Sequence, residues 1–144
     1  MIDRDLLLAK VETLDRCLAR IAAVRGEANS GLRAIDVQDI TVLNLQRAVQ
    51  AMIDVAAHVV ASEGLGTPDS LGASFTLLER AGFLDGELAE RMRRMTGFRN
   101  VAVHEYRKLD PAVLEAIVRE RLGDLRAFAG RILERAGLAP VERG

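Results

Sequence analysis

The chain has 144 residues, a length one hydrophobic core can serve, and 49% of them are hydrophobic while only 3% are aromatic, which excludes a disordered chain and favours helices built from Ala, Leu, Val and Ile. A formal net charge of −1 excludes a nucleic-acid binder coated evenly in positive charge. The single cysteine, Cys17, excludes an internal disulfide, no secretion signal is read at the amino end, and Asp54, His58 and Glu63 interrupt the longest apolar run short of the ~18 residues of a membrane span, so a soluble, cytoplasmic protein is expected.

Leu6, Leu7, Leu8, Val11, Leu14, Leu18, Ile21 and Val24 recur at helical spacing after Asp3, a residue suited to an N-cap. They predict a first helix to about Arg25 or a few residues beyond. Gly26 to Ala34 reads as a weak region. Asp36 is then placed to cap a second helix, with Asp39 near its first turn, where the helix dipole favours a carboxylate. In that helix Val42, Leu45, Val49, Met52, Ala56 and Val59 alternate steps of three and four, the seam of a rod packed against other helices. Running to Ser62 or Glu63, it spans roughly 40 Å. The break "EGLGTPDS", Glu63 to Ser70, precedes a short helix capped by Asp69 or Ser70, which buries Phe75, Leu77 and Leu78 and closes at Ala81-Gly82. Asp85 opens the next helix, through Leu88, Met92 and Met95 to about Tyr106. Asp110 at an N-cap and Pro111 at the first helical position open the last, whose Leu114, Ile117, Val118, Leu122, Leu125, Phe128, Ile132 and Leu133 hold the period to about Ala136. The tail after Gly137 is expected to fray. No stretch alternates like a strand, and the expected architecture is a single all-α domain over residues 1–144, an up-and-down bundle of four long helices plus one short helix.

"GFRNVAVHEY", Gly97 to Tyr106, holds the only tyrosine and one of the two histidines. Wound as a helix, Arg99, Asn100, His104 and Tyr106 share an arc of roughly 160°. Asn100 and His104 stand at i and i+4, so the amide is placed to hold the imidazole in one tautomer, and the long Arg99 guanidinium can lean toward the ring. RNA cleavage needs a group of near-neutral pKa to take the ribose 2′-hydroxyl proton and a fixed cation for the charge that develops on phosphorus. Histidine, with a reference pKa of ~6.5, meets the first need and arginine the second, with no metal required. From Arg91 to Lys108, six cations (Arg91, Arg93, Arg94, Arg99, Arg107 and Lys108) face one acid, Glu105, so this stretch carries +5 and the rest of the chain −6. Arg91, Arg94, Arg107 and Lys108 are the candidate RNA contacts; a merely solvated face is the other reading.

The same residues carry a family resemblance. "RNVAVHEY" is similar to the HEPN-superfamily pattern of arginine, polar residue, three apolar residues, histidine, any residue and tyrosine. Together with "LQRAVQAMIDVAAHVV", "LLERAGFL" and "LDPAVLEAIVRERLGDLRAFAGRIL" in that order, it resembles the HepT-like (DUF86-type) toxins. The resemblance implies an HEPN-like fold and a metal-independent endoribonuclease toxin, homodimeric, with two motifs facing each other in one RNA-binding cleft. It assigns cleavage to Arg99 and His104 and the polar position to Asn100, and it implies no cofactor. It also implies an MNT-type nucleotidyltransferase antitoxin that silences the toxin by adding AMP to Tyr106, which would set bulk and negative charge beside Arg99.

Asp54 and His58, at i and i+4, either support the cleft or form an ordinary intrahelical pair. Di-iron bundles need a glutamate three residues before each histidine, where this chain has Val55 and Val101, and "HEYRK" has Lys108 in place of a zinc protease's second histidine. Cys17 reads as core. The competing function is a non-catalytic dimeric module that binds a nucleotide or a partner protein in the same cleft.

Overall fold

The computed structural model describes residues 1–26 and 31–138; part of the weak region and most of the tail read from the sequence lie outside the described residues. Among the described residues, six α-helices run α1 (Arg4–Arg25), α2 (Ala34–Ser62), α3 (Ala73–Arg80), α4 (Gly86–His104), α5 (Pro111–Glu120) and α6 (Leu122–Arg135), with a 3₁₀ turn, Tyr106–Lys108, between α4 and α5. No strand occurs among the described residues.

The caps form largely where the sequence placed them. Side-chain oxygens of Asp3, Asp85 and Asp110 accept from the amides of Leu6, Leu88 and Ala112 at 3.1, 2.8 and 2.8 Å, satisfying donors a helix start leaves open. Helix α2 differs: it begins at Ala34, and Asp36 sits inside its first turn, accepting from the Arg33 amide at 3.3 Å and from Arg33 Nε at 3.2 Å. At the far end of α3, Gly82 adopts φ +82°, so the chain reverses and the Phe83 amide reaches the Leu78 carbonyl at 2.9 Å.

The α2 seam is buried as its spacing required. Val42, Leu45, Val49, Met52, Ala56 and Val59 are all at most 2% exposed. Helix α1 lies antiparallel along it, its start tied to the end of α2: the Asp3 amide donates to His58 Nε2 at 2.9 Å and Lys10 pairs with Asp54 at 2.8 Å. On the other side α4 supplies Leu88, Ala89, Met92, Met95, Phe98 and Ala102, and α6 supplies Leu125, Phe128, Ala129 and Ile132, to one continuous cluster. Phe75 of α3 meets Phe128 edge to face, centroids 5.2 Å apart.

The last of the expected long helices is divided. At Arg121 (φ −120°, ψ −5°) α5 ends and α6 begins, and the Asp124 amide bonds the Arg121 carbonyl at 3.0 Å, one residue nearer than an α-helix requires. Gly123, about 1 kcal/mol worse than alanine within a helix, weakens the chain there. The buried Asp124 carboxylate receives Arg91 Nη1 at 3.3 Å. The bundle is therefore all-α as expected, with the final helix in two pieces.

Replacing fully buried Phe128 with alanine removes its contact with Phe75 and opens a cavity among α2, α3 and α6. Denaturant unfolding should show a loss of about 3–5 kcal/mol, and a loss under 1 kcal/mol would contradict this packing.

Candidate active site

Helix α4 must bury Met92, Met95, Phe98 and Ala102, and this fixes what its last turns present outward. Arg99 and Asn100 are half-buried, and Val103 and His104 are exposed. The helix ends at His104; Glu105 leaves helical geometry (φ −140°, ψ 48°) and Tyr106 falls in the 3₁₀ turn. The expected continuation of α4 to Tyr106 is thus cut short by two residues. The change moves the phenol off the helical arc and across to α2.

There, Tyr106 Oη donates to Asp39 Oδ1 at 2.5 Å, a bond spanning 67 residues of sequence. This hydrogen bond, with burial and the Asp39 charge adding to it and a hydrogen bond from Gln38 opposing it, raises the phenol above its ordinary ionisation range. Asp39, near the first turn of α2 as expected, is exposed and makes no ion pair among the described residues. Its role as the partner of the tyrosine was not visible in the sequence.

Asn100 does not hold His104. Its Oδ1 accepts from Arg99 Nη1 at 3.0 Å, so the amide steadies the guanidinium instead, while the His104 ring has no hydrogen-bond partner among the described residues. Arg99 Nε is buried with no partner, and Arg99 joins no ion pair among the described residues. A buried guanidinium donor left open is costly, and an anion laid against it removes the cost.

The other cations behave differently. Arg91 pairs with Glu87 at 2.5 Å as well as with Asp124; Arg93 holds Glu79 and Glu90 at 3.2 and 2.9 Å; Arg94 holds Glu90 at 3.3 Å; Lys108 reaches Glu105 at 3.4 Å. Acids from outside the basic stretch thus offset much of its charge. Arg91, Arg94 and Lys108 line a groove of about 590 Å³ between α4 and α5, floored by Met95, Phe98 and Ile117; none of Arg99, Asn100, His104 and Tyr106 lines it. Arg107 is exposed in the 3₁₀ turn.

Of the two readings of Asp54 and His58, the structure overturns the intrahelical pair. They do not pair with each other: Asp54 accepts from Lys10 and from Gln50 Nε2, both at 2.8 Å, and His58 Nε2 accepts the Asp3 amide and lies 3.2 Å from Ser62 Oγ. They fasten α1 to α2. Cys17 is buried, and burial pushes its thiol up, opposed by the charges of Arg47 and Arg16. Among the described residues no three His, Cys, Asp or Glu side chains converge as metal ligands, and no helix is long and apolar enough to cross a membrane.

A helical bundle with Arg99, Asn100 and His104 on the closing turns of one helix and a tyrosine two residues beyond defines an HEPN-type domain. Residues 14–132 match the family described as Ribonuclease HepT-like, and the chain belongs to that family of RNA nucleases. It is 36% identical over 124 residues to the mRNA nuclease HepT of Shewanella oneidensis, covering 86% of this chain and 93% of that one. With the tRNA nuclease HepT of Aphanizomenon flos-aquae it shares 34% identity over 80 residues, 56% of this chain and 54% of the relative. Among solved structures it is similar to the tri-AMPylated Shewanella oneidensis HEPN toxin in complex with its MNT antitoxin: TM-score 0.84, 34% identity, 92% of this chain and 99% of that one.

Because the chain has one tyrosine and no tryptophan, phenolate ultraviolet absorbance reports on Tyr106 alone. Its titration midpoint should lie above 10.0 in the wild type and fall toward that value in Asp39→Asn. A group raised in this way gives stability that is complete below the unfolded pKa of ~10 and is lost as pH rises through the folded one. A wild-type midpoint at or below the ordinary phenol value would contradict the Tyr106–Asp39 bond.

Proposed function

We propose that the protein is a metal-independent endoribonuclease toxin that cleaves RNA as a homodimer and is silenced by an MNT-type nucleotidyltransferase antitoxin that adds AMP to Tyr106. The observation that carries this reading is the unpaired, Asn100-steadied Arg99 guanidinium, on the same closing stretch of α4 as an imidazole open to solvent. One supplies a fixed cation with an unused donor; the other supplies a group able to accept and return a proton near neutral pH.

In the proposed reaction His104 takes the proton of a ribose 2′-hydroxyl, the 2′-oxygen attacks the adjacent phosphorus, and Arg99 stabilises the charge gathering on the non-bridging oxygens. The 5′-oxygen leaves with a proton, from the partner histidine or from water, and a 2′,3′-cyclic phosphate remains. DNA lacks the nucleophile. The requirement for a second copy is supported by the surface around the motif: Ile35 and Leu43 on α2, with Val103 and Tyr106, are large apolar side chains left exposed at this corner of the bundle. Covering them with a second copy would bring two motifs together and give each RNA phosphate two cations.

The antitoxin reading draws on the MNT complex of the Shewanella oneidensis toxin and on its AMP modification. Tyr106, 40% exposed, is accessible to a transferase, and AMP on it would add bulk and negative charge where the motif ends. Of the RNA contacts expected from the sequence, Arg107 and the exposed Arg94 and Lys108 suit a phosphate backbone best, whereas Arg91 is held by two acids.

Purified protein incubated with total RNA in EDTA should cut it, and Arg99→Ala and His104→Ala should each slow cutting by about 10²–10⁴-fold with helical circular dichroism unchanged. Inert wild type under these conditions would favour the non-catalytic binding module. Light scattering should return a dimer at micromolar concentration, and Leu43→Glu should shift it to monomer; a wild-type monomer would remove the composite cleft.

A further inference from the structure

Asp39 is an exposed carboxylate on one helix whose defined side-chain contact is the hydroxyl of a tyrosine on another segment. The contact is not what joins the two helices, because α2 and α4 are already packed through Met52, Met92 and the rest of the core. The geometry matches what a hydroxyl nucleophile requires for attack on phosphorus: an anionic oxygen within hydrogen-bond reach of the hydroxyl, with no cation among the described residues paired to it. Arg33, the nearest cation in sequence, is occupied by Asp36, and Lys108 by Glu105. Besides the Asp39 bond and charge, burial raises the phenol and a Gln38 hydrogen bond opposes the rise.

We propose that Asp39 is the general base for the modification of this chain's own tyrosine: the toxin supplies the proton acceptor, and its nucleotidyltransferase partner supplies the nucleotide. This rests on the reading of Tyr106 as the site of AMP transfer. As Tyr106 Oη attacks the α-phosphorus of ATP, the Oη–P bond forms and the bond from that phosphorus to the β-phosphate oxygen breaks. Pyrophosphate leaves, and the phenolic proton passes to the Asp39 carboxylate and from there to solvent. Without this acceptor the neutral phenol is a poor nucleophile, and it must first lose its proton to water. A second consequence concerns register. Once AMP is attached the hydroxyl proton is gone, Asp39 loses its donor, and the new phosphodiester stands beside an anion that repels it, so the turn carrying Tyr106 moves off α2.

The test follows AMP incorporation by intact-mass spectrometry, using the full chain, the cognate MNT-type nucleotidyltransferase and ATP. Asp39→Asn should take up AMP at least about a hundredfold more slowly than wild type while binding the partner equally well, and Asp39→Glu should recover part of the rate. From about pH 7 to about pH 9 the wild-type rate should be nearly flat, whereas the Asp39→Asn rate should climb close to tenfold per pH unit as the phenol itself ionises. Asp39→Asn modified at the wild-type rate, or with the wild-type pH profile, overturns the inference and leaves the modification reading standing. A wild-type chain that takes up no AMP, with Tyr106→Phe equally inert, overturns both.

Discussion

Helix α2 must be covered on several sides, and the rest of the fold follows from meeting that demand. Val42, Leu45, Val49, Met52, Ala56 and Val59 form the seam, but Ala48, Ala51, Ile53, Val55 and Val60 are buried as well, so a single neighbour cannot cover the rod. Helix α1 covers one side in antiparallel sense, and α4 and α6 cover the other. The small alanines let neighbouring helices approach closely, and the scarcity of aromatic side chains suits such packing. Because α4 is held against α2 by Met92, Met95, Phe98 and Ala102, its remaining faces are dictated. Arg99, Asn100, Val103 and His104 have nowhere to go but the outer surface near the start of α2.

The charge distribution acts differently from its appearance in one dimension. A stretch with an excess of cations meets acids from α3, from α6 and from its own helix, so the pairs of Arg91, Arg93 and Arg94 hold the bundle's surface together more than they define a binding face. Exposed pairs of this kind are worth little each. Their use here is to leave Arg99 as the conspicuous exception, a partly buried cation whose one side-chain bond among the described residues is to a neutral amide. The basic groove between α4 and α5 and the motif are separate features of one helix, joined only by the turn that carries Arg107 and Lys108.

Much of this was legible in the sequence for identifiable reasons. Helix extents follow from apolar spacing and from Asp3, Asp85 and Asp110 at caps, signals that act within a turn or two of the chain. What failed was non-local or finely balanced. The division at Arg121 preserves the apolar period across the break, so periodicity cannot detect it. The early end of α4 at His104 is decided by Tyr106 reaching α2, a contact over 67 residues. Asn100 stands at the right spacing for His104, yet the adjacent guanidinium offers a charged donor and wins it, since hydrogen bonds to charged groups are the stronger. Asp54 and His58 pointed to each other by spacing, whereas the three-dimensional neighbours, Lys10 and the Asp3 amide, lie on another helix.

In the proposed reaction a guanidinium and an imidazole at the end of α4 break RNA through the ribose's own hydroxyl. The chemistry of the severed ends tests it most directly, because the two possible nucleophiles leave different termini. Mapping the products of the purified protein acting on a defined RNA should find a 2′,3′-cyclic phosphate on one side of each cut and a 5′-hydroxyl on the other. A 3′-hydroxyl facing a 5′-phosphate would mean that water, not the 2′-oxygen, attacked phosphorus, and would contradict the account.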